Sequence, residues 1–257
     1  MKPRLSDETL SSPTGGAQPR HPFPAVLIDP HGLWSAPLDV LPSFDGRVQW
    51  LRSTTPWPPE TDGLSIRLAN SSAECQSGAE LRTGCVTVLV DAAVPIGLHG
   101  CGAILACSHD TMSTAVVAMA TAILTVALAN HIAHFGWSDA REIISRDVLM
   151  VATSMHATDP DTISGCAART LGYFQGTSRI EPEAVILGVI ASDKEPPCLR
   201  DMTDFAYSIR SISGLNCYQI VACHLSKQAH ATAFLLATFP IPVLPGQRIR
   251  TRRRWPT

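Results

Sequence analysis

Gly84-Cys85-Val86-Thr87-Val88-Leu89-Val90-Asp91-Ala92-Ala93-Val94 is the stretch whose reading decides the fold. It is apolar almost throughout, and Pro95 bounds it. A short apolar run of this kind fits a buried helix or a buried strand, because periodicity alone does not separate them. Read as a helix, it begins at Gly84, where free backbone N–H groups can stabilise a developing oxyanion. Asp91 then lies two turns along, in apolar surroundings that raise a carboxyl pKa and suit a base or nucleophile. Read otherwise, Asp91 is a polar residue at an edge, or a cap for the next element of the chain.

Upstream, three short pieces have strand character: Ala25–Ile28, the alternating Gly46–Arg52, and the alternating Leu64–Leu68. The Pro-rich part between residues 26 and 60 also carries Trp34, Trp50 and Trp57, and residues 69–80 read as a polar loop. Downstream, Met112 to Phe135 is rich in Ala, Val and Thr. A membrane span needs about 20 consecutive apolar residues. Ser113, Thr114, Thr121 and Thr125 interrupt this run, and no basic cluster flanks it, so a core helix or a pair of core strands is expected. Ser138-Asp139-Ala140-Arg141-Glu142 has the signature of a helix start.

Beyond it, strands are expected at Val148–His156, Gly165–Phe174, Ala184–Ile190, Phe205–Ile212, Tyr218–Leu225 and Ala231–Ile241, with turn residues that suit an antiparallel sheet. The segments Met150–His156 and Ala167–Phe174 faintly echo Ile220–Leu225 and Ala231–Phe239, as a duplicated unit would.

The 257 residues are 45% hydrophobic and 16% charged, enough apolar material for a sizeable core and too little charge for a disordered chain. The net charge of -2 gives the body of the chain no electrostatic case for nucleic acid. The organisation expected is a flexible leader at 1–25, one domain at 26–245 (or two fused similar units meeting near 140–160), and a basic tail at 246–257. The arginines of that tail suit phosphate or an anionic surface by charge, and with a body that is not basic the reading preferred is a solvated chain end. Eight cysteines invite a disulfide framework. No apolar secretory segment opens the chain, and most of the cysteines sit in apolar runs. Reduced thiols and a cytoplasmic location are therefore expected.

Residues 82–93, Arg-Thr-Gly-Cys-Val-Thr-Val-Leu-Val-Asp-Ala-Ala, resemble the central-helix segment of hotdog-fold acyl-thioester hydrolases. The resemblance implies an α+β fold, an antiparallel sheet wrapped around a central apolar helix, and the double-hotdog form matches the chain length and the echo. It implies Asp91 as the catalytic carboxylate, with Gly84 and Cys85 as backbone donors to the thioester carbonyl. It further implies an acyl substrate carried on coenzyme A or a carrier protein, no other cofactor, and a homo-oligomer. The chain departs from the family where Arg82-Thr83-Gly84 stands in place of a His-Gly-Gly start, and no second acid-bearing helix is evident.

Two rival readings come from the residues themselves. One is a cysteine-dependent enzyme using Cys101 with His99 or His109, since the neighbouring glycines admit a substrate to the backbone. The other is a binding or assembly module whose apolar 84–135 segment packs in an oligomer. Cys107, His109, Asp110, His131 and His134 are metal-ligand types, yet they match no zinc spacing, and no metal is expected. Walker, dinucleotide and Gly-x-Ser-x-Gly motifs are missing.

Overall fold

The computed structural model describes residues 22–55, 62–77, 84–92, 102–128, 135–155, 165, 168–169, 181–194, 196, 199–213, 216–227 and 232–241. Nine strands form one sheet: β1 (Phe23–Ile28), β2 (Val48–Ser53), β3 (Leu64–Ala69), β4 (Cys85–Val90), β5 (Ala103–Cys107), β6 (Val148–Met155), β7 (Ala184–Ser192), β8 (Tyr218–Ser226) and β9 (Thr232–Pro240). Among the described residues, helices accompany them at α1 (Ser72–Ser77), α2 (His109–Leu128), α3 (Trp137–Ile144) and α4 (Leu199–Ser213). The order across the sheet is β2-β1-β3-β4-β5-β6-β9-β7-β8. Only β9 runs against its neighbours, β6 and β7; every other pairing is parallel.

This architecture corrects the expected fold. The sheet is a mostly parallel α/β sheet, and the deciding stretch is strand β4 rather than a helix. All six residues of β4 are buried. Strands of parallel sheets are covered on both faces, so they read as unbroken apolar runs. Phe205–Ile212, expected as a strand, belongs to α4. Its buried Met202, Phe205 and Ile209 recur at the three- and four-residue spacing of one helical face. Of the expected strand Gly165–Phe174, the described residues Gly165, Ala168 and Arg169 are helical. The other strand expectations hold to within a few residues.

The central helix is α2. Twelve of its twenty residues are buried, including Met112, Val116, Met119, Ile123, Leu124 and Val126. It has the length and hydropathy to cross a membrane, but its burial among the strands makes it the core helix. The Thr121 and Thr125 hydroxyls donate to the carbonyls of Val117 and Thr121, both at 2.7 Å, which lets them sit in an apolar helix. Ala184, Ile186 and Ile190 of β7 and Leu236 of β9 share a core with α2. The alternate residues Val185, Leu187, Val189, Leu235 and Ala237 share a second core with Met202, Phe205 and Ile209 of α4 on the opposite face.

The two ends of the sheet come together, and the carboxyl end of β8 meets the turn that leads into β2. The Phe44 and His224 rings stand edge to face with centroids 4.8 Å apart. Asp45 Oδ1 lies 3.5 Å from Ser226 Oγ, and Asp45 Oδ2 lies 3.9 Å from His224 Nε2. Phe44, Asp45 and Gly46 are all left-handed, with φ of 50, 57 and 80°. The two non-glycine residues hold a conformation that costs about 1 kcal/mol or more each.

Helix α2 approaches β7 closely at Gly188, where an added Cβ would stand 3.0 Å from Thr125 Oγ1 and 3.1 Å from Ala122 Cα. Gly188→Ala is therefore expected to destabilise the chain by about 1–3 kcal/mol through overpacking. Equilibrium urea unfolding of the two proteins checks this; equal midpoints would show that the helix can shift at no cost.

Candidate functional site

The chain leaves β1 to one side to form β2, then returns to the other side of β1 to form β3. Such a reversal opens a crevice at the carboxyl ends of the strands, the usual ligand position in open α/β sheets. The ends of β1, β3, β4 and β5 lie side by side, a rim of about 14 Å at ordinary strand spacing.

Asp29 follows β1 and fixes the first of these loops. Its carboxylate is fully buried and accepts from the Leu33 N–H at 2.7 Å, the Trp34 N–H at 3.0 Å and Arg52 Nη2 at 2.6 Å. Burial pushes its pKa up, but the Trp34 N–H, the Arg52 side chain and the Leu33 N–H together outweigh this and hold it below the ordinary carboxylate value. The folded loop presents His31, whose Nε2 lies 3.1 Å from Glu74 Oε2 on α1. The same Glu74 oxygen accepts from the Asn70 N–H at 3.2 Å. The loop after β1 and the helix after β3 are thus tied through one carboxylate.

Asp91 ends β4. Its N–H donates to the Cys107 carbonyl at 3.0 Å, and its Oδ1 accepts from the His109 N–H at 3.1 Å. It holds a left-handed φ of 51°. Its carboxylate therefore sits at the amino end of α2, where a negative charge meets the first free N–H groups of the helix. Ser108 and Thr111 complete this end, their hydroxyls 2.9 Å apart.

The three residues that the resemblance implied as catalytic do not meet. Gly84 and Cys85 start β4 and Asp91 follows its end, about 23 Å away for seven residues of strand. The Gly84 carbonyl accepts from the Ser65 N–H as part of the sheet. Its φ of 100° and its approach to Gly63 and Trp137 explain the glycine: a Cβ would stand 2.9 Å from the Gly63 carbonyl oxygen. Burial pushes the Cys85 thiol up to about 12, against the opposing charge of Arg67, so it stays a thiol. Residues 85–90 are strand, so the helix whose start was to supply the oxyanion donors does not form there, and the acyl-thioester hydrolase reading, its coenzyme A or carrier-bound substrate included, is overturned.

His99 and Cys101 lie outside the described residues, as do His131, His134 and the basic tail. Cys107 and His109 are described at the rim. The five described cysteines, Cys75, Cys85, Cys107, Cys217 and Cys223, are free thiols. Among the described residues no three His, Cys, Asp or Glu side chains gather as a metal site. Sequence reading missed His31, Asn70 and Glu74. The available signals were Asp29-Pro30-His31-Gly32 directly after a strand, and the Ser71-x-x-Glu74 pattern of a helix start.

No family model matches the chain, and no curated protein matches it. Solved structures with a distant likeness include an empty FtsZ dimer from M. jannaschii (9% identity, TM-score 0.45, 75% of this chain and 71% of that one). A mutant FtsZ from the same organism has 6% identity and a TM-score of 0.47, over 86% of this chain and 92% of that one. A GTPγS-form protofilament of Bacillus thuringiensis serovar israelensis TubZ has 8% identity and a TM-score of 0.46, over 72% and 64%. These are FtsZ and TubZ structures, not hotdog hydrolases.

Two substitutions separate scaffold from site at this rim. Asp29→Asn is expected to cost about 2–3 kcal/mol at neutral pH, the range for buried hydrogen bonds to a charged group. Because the folded pKa is depressed, this stabilisation is complete above about pH 4 and is lost as the pH falls through the folded value. Unfolding midpoints of wild type and Asp29→Asn should therefore converge in acid; a gap independent of pH would contradict the assignment. At the second position, Asp91→Ala is expected to cost about 1 kcal/mol as a lost helix cap, while Asp91→Asn, which still caps and tolerates the left-handed φ, costs less. Equal losses in thermal unfolding would show that the carboxylate is not acting as the cap.

Proposed function

We propose that the carboxyl rim over β1, β3, β4 and β5 binds a small polar ligand of nucleoside size. The reversal of strand order at β1 carries this reading, since it opens a crevice between neighbouring strand ends. The polar groups around it suit a hydroxylated ligand. Glu74 and Asp91 accept hydrogen bonds, and the His31 ring and the Asn70 amide side chain both donate and accept. Asp29 and Arg52 satisfy one another and act as scaffold. The Asp91 carboxylate already occupies the amino end of α2, so a ligand here is held by rim side chains rather than by that helix end.

The test is differential scanning fluorimetry of the full chain against nucleosides, nucleoside mono-, di- and triphosphates, and flavin mononucleotide, with His31→Ala alongside. A saturable rise in midpoint for one class, lost in His31→Ala, supports the site. No shift with any compound, or a shift unchanged in His31→Ala, overturns it.

A further inference from the structure

Strand β8 is the last strand of the sheet, and among the described residues no strand pairs with its outer side. The Tyr218 N–H donates to the Glu183 carbonyl and the Ser226 carbonyl accepts from the Asp193 N–H, so the even-numbered residues of β8 turn their backbone groups toward β7. By strand alternation, Gln219, Val221 and Cys223 turn theirs outward. An open row of donors and acceptors is a template for another extended chain.

Helix α4 runs beside this edge and turns it into a groove. Met202, Ala206, Tyr207 and Arg210 of α4 face Gln219 and Val221 of β8 across a cavity of about 320 Å³. The Gln219 side chain donates to Ser213 Oγ at 2.8 Å, which sets the end of α4 against the start of β8. Arg210 therefore stands beside Gln219. Met202, about 12 Å back along the helix, stands toward Cys223 in a shared apolar cluster. The groove is thus cationic at one end and apolar at the other. Its cation is not neutralised, because Arg210 makes no ion pair among the described residues. Asp204 and Asp201 of the same helix lie about 120° and 180° round the axis from it, away from the groove. Lys227, exposed just beyond β8, is likewise without an ion pair among the described residues.

We propose that this groove takes an extended acidic peptide of a partner protein, added to the sheet as a strand antiparallel to β8. The backbone row supplies affinity, and the groove reads alternate side chains. In this pairing Gln219, Val221 and Cys223 each exchange both N–H···O=C bonds with the residue opposite. Those three peptide residues share one face, the face toward α4. Opposite Cys223 and Val221, beside Met202 and Ala206, their side chains are apolar. Opposite Gln219 stands a Glu, whose carboxylate meets the Arg210 guanidinium. The peptide therefore reads apolar-x-apolar-x-Glu. The β8 strand of a second copy does not fit this description, since Tyr218–Ser226 has no carboxylate to bring to Arg210. The paired segment, residues 219–223, stops short of His224 and so leaves its contact with Asp45 in place.

Fluorescence anisotropy of labelled peptides titrated with the full chain tests this. The probes are synthetic peptides of the form apolar-x-apolar-x-Glu, with Val, Leu or Phe at the apolar positions and Thr between. Each has a twin with Lys in place of Glu. Saturable binding of a Glu peptide is expected, with its Lys twin at least about tenfold weaker. Arg210→Glu reverses that preference, as a swapped charge should. Val221→Pro, which removes an outward N–H without touching the bonds to β7, weakens the Glu peptide by at least about tenfold. Circular dichroism confirms that each variant is folded. Failure of every Glu peptide to bind saturably overturns the proposal. So does equal affinity for the twins, or a preference unchanged in Arg210→Glu. A chain that dimerises in sedimentation equilibrium and becomes monomeric with Val221→Pro gives the edge to a second copy, and overturns the proposal too.

Discussion

Beyond its polar first turns, from Ala115 to Leu128, helix α2 exposes no residue, and the rest of the molecule is arranged around that fact. A helix segment apolar on every side has to be covered on every side. Strands β4 to β9 supply most of the cover, and α3 supplies more. The far side of β7 and β9 is covered by α4, and that of β4 by Cys75 of α1 and by Ile241, which is why these three strands are buried along nearly their whole length. The close approach at Gly188 and the back-bonded threonines of α2 are local consequences of placing so apolar a helix against a flat surface.

Most strand positions were legible in the sequence, because β1, β2, β3 and β6 to β9 are short apolar or alternating runs between turn residues. Their directions were not. Parallel and antiparallel strands draw on the same residues, and turn signals between them do not fix which edge the chain returns to. Segment 84–94 had the decisive local clue. Val86, Thr87, Val88 and Val90 are β-branched, which disfavours helix and favours strand. The Gly-to-Asp spacing outweighed this clue in the family resemblance. α4 was misread for the opposite reason: Phe205, Ile209 and their neighbours are aromatic and branched, yet Met202, Phe205 and Ile209 keep a helical period.

The rim was legible only in fragments. Asp91 and His109 were singled out from the sequence, but as parts of different sites, and only the β4–β5 pairing shows them to be hydrogen-bonded neighbours. His31 and Glu74 are 43 positions apart in sequence and come together because β1 and β3 are adjacent strands. No local pattern announces such a pair. What local sequence does encode is the stiffness of each half: Asp29 locks the loop that presents His31, and Asn70 holds Glu74 from behind.

The contact between Asp45 and Ser226 spans 181 positions of sequence. During synthesis the turn that carries Phe44 and Asp45 leaves the ribosome long before its counterpart on β8. At about 5–20 residues per second, that interval is on the order of ten seconds or more. Through that time the first strands wait with one side of their packing unmade. Closure of so long a loop comes late in folding, so the turn at 44–46, closed locally by the Arg47 and Val48 N–H groups, gains its contacts with His224 and Ser226 only when β8 arrives.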